Sequence, residues 1–167
     1  CLWLVASVYG AEPGLFEAAQ MEHLPRPIPI PEISVPDLEG QKTSLRSLKG
    51  QGVLINFSTT SSGHCLRERA ALEALHQRYK DQGLMVLGIN MHEAPNLVKT
   101  YVTKHRLTFP HLLDADAKVT SMFAVPGTPT TFLINREGQI LGVGIGYRNW
   151  ASPAAHRLVE NLLKTAQ

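Results

Sequence analysis

The sequence predicts an α/β domain in which a central mixed sheet is flanked by helices, with a β-hairpin ahead of it. Three observations carry that expectation. The β-branched and aromatic run Val53-Leu54-Ile55-Asn56-Phe57 ends in a Ser/Thr/Gly cluster, after which Leu72, Leu75 and Tyr79 recur at helical spacing. Leu84 to Met91 is a second apolar run without polar alternation, the pattern of a strand covered on both faces. Strand and helix alternate, which argues for a parallel pair joined by a right-handed crossover.

At 167 residues, 44% apolar and 18% charged, the chain has the bulk for one ordinary core without covalent staples. A formal charge of +2 with scattered Lys and Arg argues against a nucleic-acid footprint. Residues 1–10 are apolar but about half the length of a membrane span. They read as the tail of a secretory signal peptide, with Val8 and Gly10 before a cleavage at Ala11. A lipid-modified Cys1 that attaches the N-terminus to a membrane and an ordinary buried segment stay open. Cleavage would leave Cys65 as the one thiol.

Residues 11–32 read as a short helix over Glu12–Met21 and a strap from His23 to Glu32 in which proline alternates with other residues. Proline fixes φ and removes donors, so the strap is expected to be extended and polyproline-like. The domain itself is expected over 33–167. Ile33 to Leu45 reads as a hairpin turning at Glu39-Gly40, ahead of the first core strand. After the second apolar run, Ala94-Pro95-Asn96 opens a helix extending to His105, with proline in its first turn. Thr108–Leu113 is a connecting or strand segment, and Asp116–Phe123 a brief helix. Thr130–Asn135, a turn at Arg136-Glu137-Gly138 and Gln139–Gly146 form an antiparallel pair. Ser152 caps a final amphipathic helix reaching Ala166, with Pro153 at its first position. The Gly-x-Gly-x-Gly of the last strand has no helix at once behind it, so it is a poor nucleotide-binding signal.

The chemistry converges on the junction after the first core strand. Cys65, in Ser62-Gly63-His64-Cys65, stands where free N–H groups and the helix dipole favour a thiolate. The strand, this motif, the helix behind it and the later Val125-Pro126-Gly127-Thr128-Pro129-Thr130 together resemble the thioredoxin superfamily, specifically the TlpA/ResA-like extracytoplasmic thiol:disulfide oxidoreductases. The resemblance covers roughly residues 33 to 165 and implies a thioredoxin-like fold. It implies that Ser62 stands in the position of the nucleophilic cysteine and Cys65 in that of the resolving one. It further implies that Pro129 is cis and, with Thr128, faces Ser62 and Cys65 and pairs with substrate backbone beside Gly63. Glu93 matches an acid that assists proton transfer in the cytochrome c maturation branch; a solvated residue ahead of a helix is its bland alternative. Implied partners are cysteine-containing client proteins and a membrane reductant, in the periplasm or another extracytoplasmic space, with no cofactor and no nucleic acid.

The chain departs from the family wording in several places. Ser58 and Ser61 replace tryptophans, Gly63-His64 replaces Pro-Pro, and Ala70 stands where a helix-kinking proline is common. His64 is expected to tune the sulfur, because an imidazolium near a thiolate stabilises it and makes the disulfide more oxidising. Disulfide exchange runs through a mixed disulfide that a second thiolate resolves, and one cysteine does not complete that cycle. A serine hydrolase is excluded because His64 lies in the same loop and no orienting acid is evident. A metal held by His64, Cys65 and His92 lacks a spaced ligand set. Three origins of Ser62 stay open: an engineered change in a Cys-Gly-His-Cys enzyme, a natural monothiol member, or a peroxiredoxin-like peroxidase using Cys65. The expectation is a thiol:disulfide oxidoreductase whose Ser62 form is inactive or monothiol, with a redox-inactive client-binding module as the rival from another class.

Overall fold

A computed structural model describes residues 14–164. The elements are α1 (Leu15–Ala18), β1 (Glu22–Pro29), β2 (Ser34–Pro36), β3 (Lys42–Ser44), β4 (Gly52–Ser58), α2 (Gly63–Tyr79) and β5 (Leu84–Met91). They continue with α3 (Pro95–Lys104), β6 (His111–Asp114), α4 (Lys118–Met122), β7 (Thr130–Ile134), β8 (Gln139–Ile145) and α5 (Pro153–Lys164). Residues 1–10, which the sequence reads as a signal-peptide remnant, lie outside the described residues.

Six strands form one mixed sheet in the order β1-β8-β7-β4-β5-β6, and β2 and β3 pair apart from it. β4 runs parallel to β5, and β5 to β6, while β7 lies antiparallel to β4 and to β8. The expected α/β class and mixed sheet are therefore what the chain adopts. Alternation along β4 divides the core into two layers. Leu54 joins Leu72, Leu75, Val86 and Leu158 in one, whereas Val53, Ile55 and Phe57 join Leu87, Ile89 and Phe132 in the other. Every one of these side chains is buried, which is why β4 carries no polar alternation of its own.

The N-terminal region departs from expectation. Within the described residues the first helix spans only Leu15–Ala18, and the proline strap is an edge strand of the main sheet. Glu22 and His23 pair with Val143 and Gly142, and Ile28 and Pro29 with Ile140 and Gln139, with an irregular stretch between. Prolines 25, 27 and 29 are tolerated there because an edge strand needs only part of its donors. The Gly-x-Gly-x-Gly of β8 finds its reason in the same place. A Cβ on Gly142 would stand 2.4 Å from Phe16 Cε1 and 2.7 Å from the Glu22 carbonyl, and one on Gly144 would stand 2.6 Å from Met21 Sδ. These glycines let α1 and β1 lie against β8. The helix expected over Asp116–Phe123 is confined to Lys118–Met122, because Asp116 Oδ1 accepts the Lys118 N–H (3.1 Å) in a turn ahead of it.

Candidate active site

β4 ends at Ser58, and residues 59–62 turn the chain into α2. Ser62 is the N-cap of that helix: it is extended at φ −73° and ψ 121°, and its Oγ accepts the Cys65 N–H at 3.3 Å. The Leu66 N–H donates to the Ser62 carbonyl at 3.0 Å and closes the first turn. Gly63 and His64 are less buried, whereas Cys65, one turn in, is only 4% exposed. Cys65 is the free cysteine among the described residues.

Glu93 lies beyond the end of β5 and reaches across to the same loop. Its Oε1 accepts both the backbone N–H (2.8 Å) and the hydroxyl (2.6 Å) of Thr60, and its Oε2 accepts from Asn90 Nδ2 at 2.8 Å. Both carboxylate oxygens of the half-buried Glu93 are engaged as acceptors. His92 turns aside, its Nδ1 meeting the carbonyl of Ala115 at 3.1 Å.

The peptide bond Thr128-Pro129 is cis. Register places it, because Phe57 pairs with Thr130, so Pro129 precedes β7 at the sheet end where β4 releases the Ser62 loop. The Pro129 carbonyl accepts the Gly146 N–H at 2.8 Å, and Thr130 Oγ1 donates to the Gly127 carbonyl at 2.6 Å. Both bonds fix the bend before β7.

Several residues that the sequence left unremarked are buried along α2 and the strands beside it. Glu68, only 1% exposed, accepts from Asn56 Nδ2 at 3.2 Å and from the Arg148 N–H at 2.6 Å. Asn56 also donates to Thr131 Oγ1 at 2.8 Å, which ties α2, β4, β7 and the segment after β8 together. Burial pushes the Glu68 carboxyl up to about 7, against the opposing pull of the Arg148 N–H and the Asn56 amide. His111 is buried too, and burial holds its imidazole down at about 4 although its Nδ1 meets the Phe109 carbonyl at 2.9 Å. Cys65, Arg69, Tyr101, Asn56, Ser58 and His111 line a cavity of about 10 Å³, room for no more than one water. A signal for Glu68 was present: counting back from Leu72 and Leu75 at helical spacing puts Glu68 and Cys65 on the buried face of α2.

A cysteine in the first turn of the helix after a central strand, with a cis-proline bend at the same sheet end, defines the thioredoxin-like class. Residues 28–143 match the AhpC/TSA family, and the chain belongs to that family. Among its relatives, the thiol-disulfide oxidoreductase ResA of Halalkalibacterium halodurans is 37% identical over 110 residues, which cover 66% of this chain and 62% of that protein. A thiol-disulfide oxidoreductase ResA of Bacillus cereus is 34% identical over 116 residues, covering 70% and 67%. The match thus spans less than two thirds of the first relative's length. Among solved structures, a thiol:disulfide interchange protein of the thioredoxin family from Chlorobium tepidum TLS superposes with a TM-score of 0.73 at 26% identity, covering 83% of this chain and 97% of that one. StoA from Bacillus subtilis shares the fold alone, at a TM-score of 0.63 and 20% identity, covering 83% and 98%.

Proposed function

We propose that this chain is built for thiol:disulfide exchange on cysteine-containing client proteins outside the cytoplasm, with Cys65 as the resolving sulfur and Ser62 in the place of the attacking one. The observation that carries this is the Ser62–Cys65 geometry. Ser62 is the N-cap and Cys65 the third helical residue, and the Ser62 Oγ accepts the Cys65 N–H at 3.3 Å, so the two positions meet across a single helical turn. With serine at the first position the exchange cycle stops, because a hydroxyl near neutral pH neither attacks a disulfide nor releases one. The present chain is therefore inactive as a dithiol reductase, and Cys65 serves only monothiol steps.

Gly63, Thr128 and Pro129 form the wall against which an extended client backbone lies, beside His64, which tunes the sulfur. Glu93 holds the loop of Ser62 through Thr60 and stands in the place of the acid that assists proton transfer in similar proteins. A membrane-bound reductant resets the pair, and cytochrome c maturation is one process of this kind. The ResA names of the relatives support the exchange chemistry. The apolar N-terminal run supports the location.

Insulin reduction tests the function: Ser62→Cys turns over insulin disulfides in the presence of a dithiol reductant, and the unaltered chain does not. Equal turnover by the two would point to a client-binding module or to Cys65 acting alone on peroxide.

A further inference from the structure

Arg69 follows Cys65 by one helical turn on the same side of α2, and both line the one-water cavity. Its guanidinium is anchored where it stands: Nη1 donates to the Leu66 carbonyl at 3.2 Å, and Cζ lies 5.8 Å from the centre of the Tyr101 ring. Tyr101, from α3, closes the other side of the cavity. An arginine carries its charge at every relevant pH, and this one lines the same cavity as a sulfur that is only 4% exposed.

We propose that Arg69, steadied by Tyr101, is a positioning residue that supplies the counter-charge for the Cys65 thiolate. The reaction step it serves rests on the exchange role proposed for Cys65. A client thiolate attacks the outer sulfur of a mixed disulfide at Cys65, a new S–S bond forms, the old one breaks, and its electron pair leaves on Cys65 Sγ. No proton or outside oxidant is consumed, and the negative charge develops at the cavity that Arg69 also lines. Tyr101 reports the same proximity: burial holds its phenol above the ordinary range, the Arg69 guanidinium opposes that, and the charges of Cys65 and Glu93 reinforce it. The other titratable groups around the thiol are His64 and Glu68 on α2, Glu93 between β5 and α3, and His111 on β6; Arg67 is turned away onto the Tyr147 ring at 4.2 Å.

The test compares alkylation of Cys65 by anionic iodoacetate and neutral iodoacetamide in the full chain, located by peptide mass mapping so that Cys1 is not counted. The ratio of the two rates at Cys65 is expected to exceed that of N-acetylcysteine by about threefold or more, because a cation lining the same cavity favours the anionic reagent. Arg69→Met is expected to bring the ratio to that of the free thiol. Arg69→Lys retains most of the excess. A ratio in the unaltered chain at or below that of N-acetylcysteine overturns the proposal, and so does a Cys65 that neither reagent reaches in the folded chain. Failure of the exchange role itself registers elsewhere, in the insulin turnover of Ser62→Cys, whatever the reagent ratio shows.

Discussion

Glu93 Oε1 accepts both hydrogen bonds that Thr60 has to offer, one from its backbone N–H and one from its hydroxyl. The other carboxylate oxygen is held by Asn90, which belongs to β5. The loop that carries Ser62 is thus pinned by one carboxylate just beyond the last ladder pair of β4 and β5, Ser58 with Asn90.

Removing that pin leaves two donors of Thr60 and the Asn90 amide short of an acceptor. Glu93→Ala is expected to cost about 2–3 kcal/mol in urea unfolding, the sum of partly buried groups left unsatisfied. Glu93→Gln keeps one oxygen for Thr60 and is expected to cost about half as much. Equal stability of Glu93→Ala and the unaltered chain would show that the loop is held by other means.

Glu68 and His111 set opposite dependences of stability on pH. The Glu68 carboxyl is held at about 7 by burial, so between its ordinary 4.5 and about 7 the folded chain keeps a proton that the unfolded chain releases. Its contribution is complete below pH 4.5 and is lost as pH rises through 7. His111 is held at about 4, so its contribution is complete above its ordinary 6.5 and is lost as pH falls through 4. Over the shared window the two slopes, each about 1.4 kcal/mol per pH unit, cancel. Urea unfolding of the unaltered chain is expected to show little slope from these two groups between pH 4.5 and 6.5. Glu68→Gln is expected to expose the rising slope of His111, and His111→Phe the falling slope of Glu68. Unchanged slopes in both variants would contradict these protonation states.

The close approach of α1 and β1 to β8 rests on two missing side chains. Gly142→Ala would force a methyl against the Phe16 ring and the Glu22 carbonyl, and a backbone oxygen has no rotamer to move to. A loss of about 1–3 kcal/mol is expected, with faster proteolysis in the α1–β1 segment than elsewhere. Gly63→Ala, where a Cβ meets nothing within 4 Å, is the control.

Much of this architecture was legible because strand and helix periods differ. The runs at Val53 and Leu84, the helix face of Leu72, Leu75 and Tyr79, and the Ser152-Pro153 helix start became β4, β5, α2 and α5. The proline strap was not legible as a strand, since its pairing with β8 is a tertiary fact that local backbone preference does not contain. Ser62, Cys65 and the Thr128-Pro129 bend were readable as wording. Arg69 and Tyr101 were not, because an arginine inside a charged helical stretch reads as solvated until the neighbouring α3 is placed over it. Glu68 escaped notice for the same reason, between Arg67 and Arg69, although helical spacing put it on the buried face.

Because Ser62 Oγ caps α2, Ser62→Ala is expected to cost about 1 kcal/mol in thermal or urea unfolding, the ordinary worth of an N-cap. Restoration of the midpoint by Ser62→Asp, whose carboxylate also caps, separates this role from packing. An unchanged midpoint in Ser62→Ala would mean that the 3.3 Å bond contributes nothing.

The most direct measurement is made on Ser62→Cys, oxidised in a glutathione buffer, denatured and mapped by mass spectrometry. A site built for disulfide exchange predicts one intramolecular bond between positions 62 and 65, formed at equilibrium and opened by a dithiol. Two free thiols at those positions under conditions that oxidise glutathione itself would contradict it.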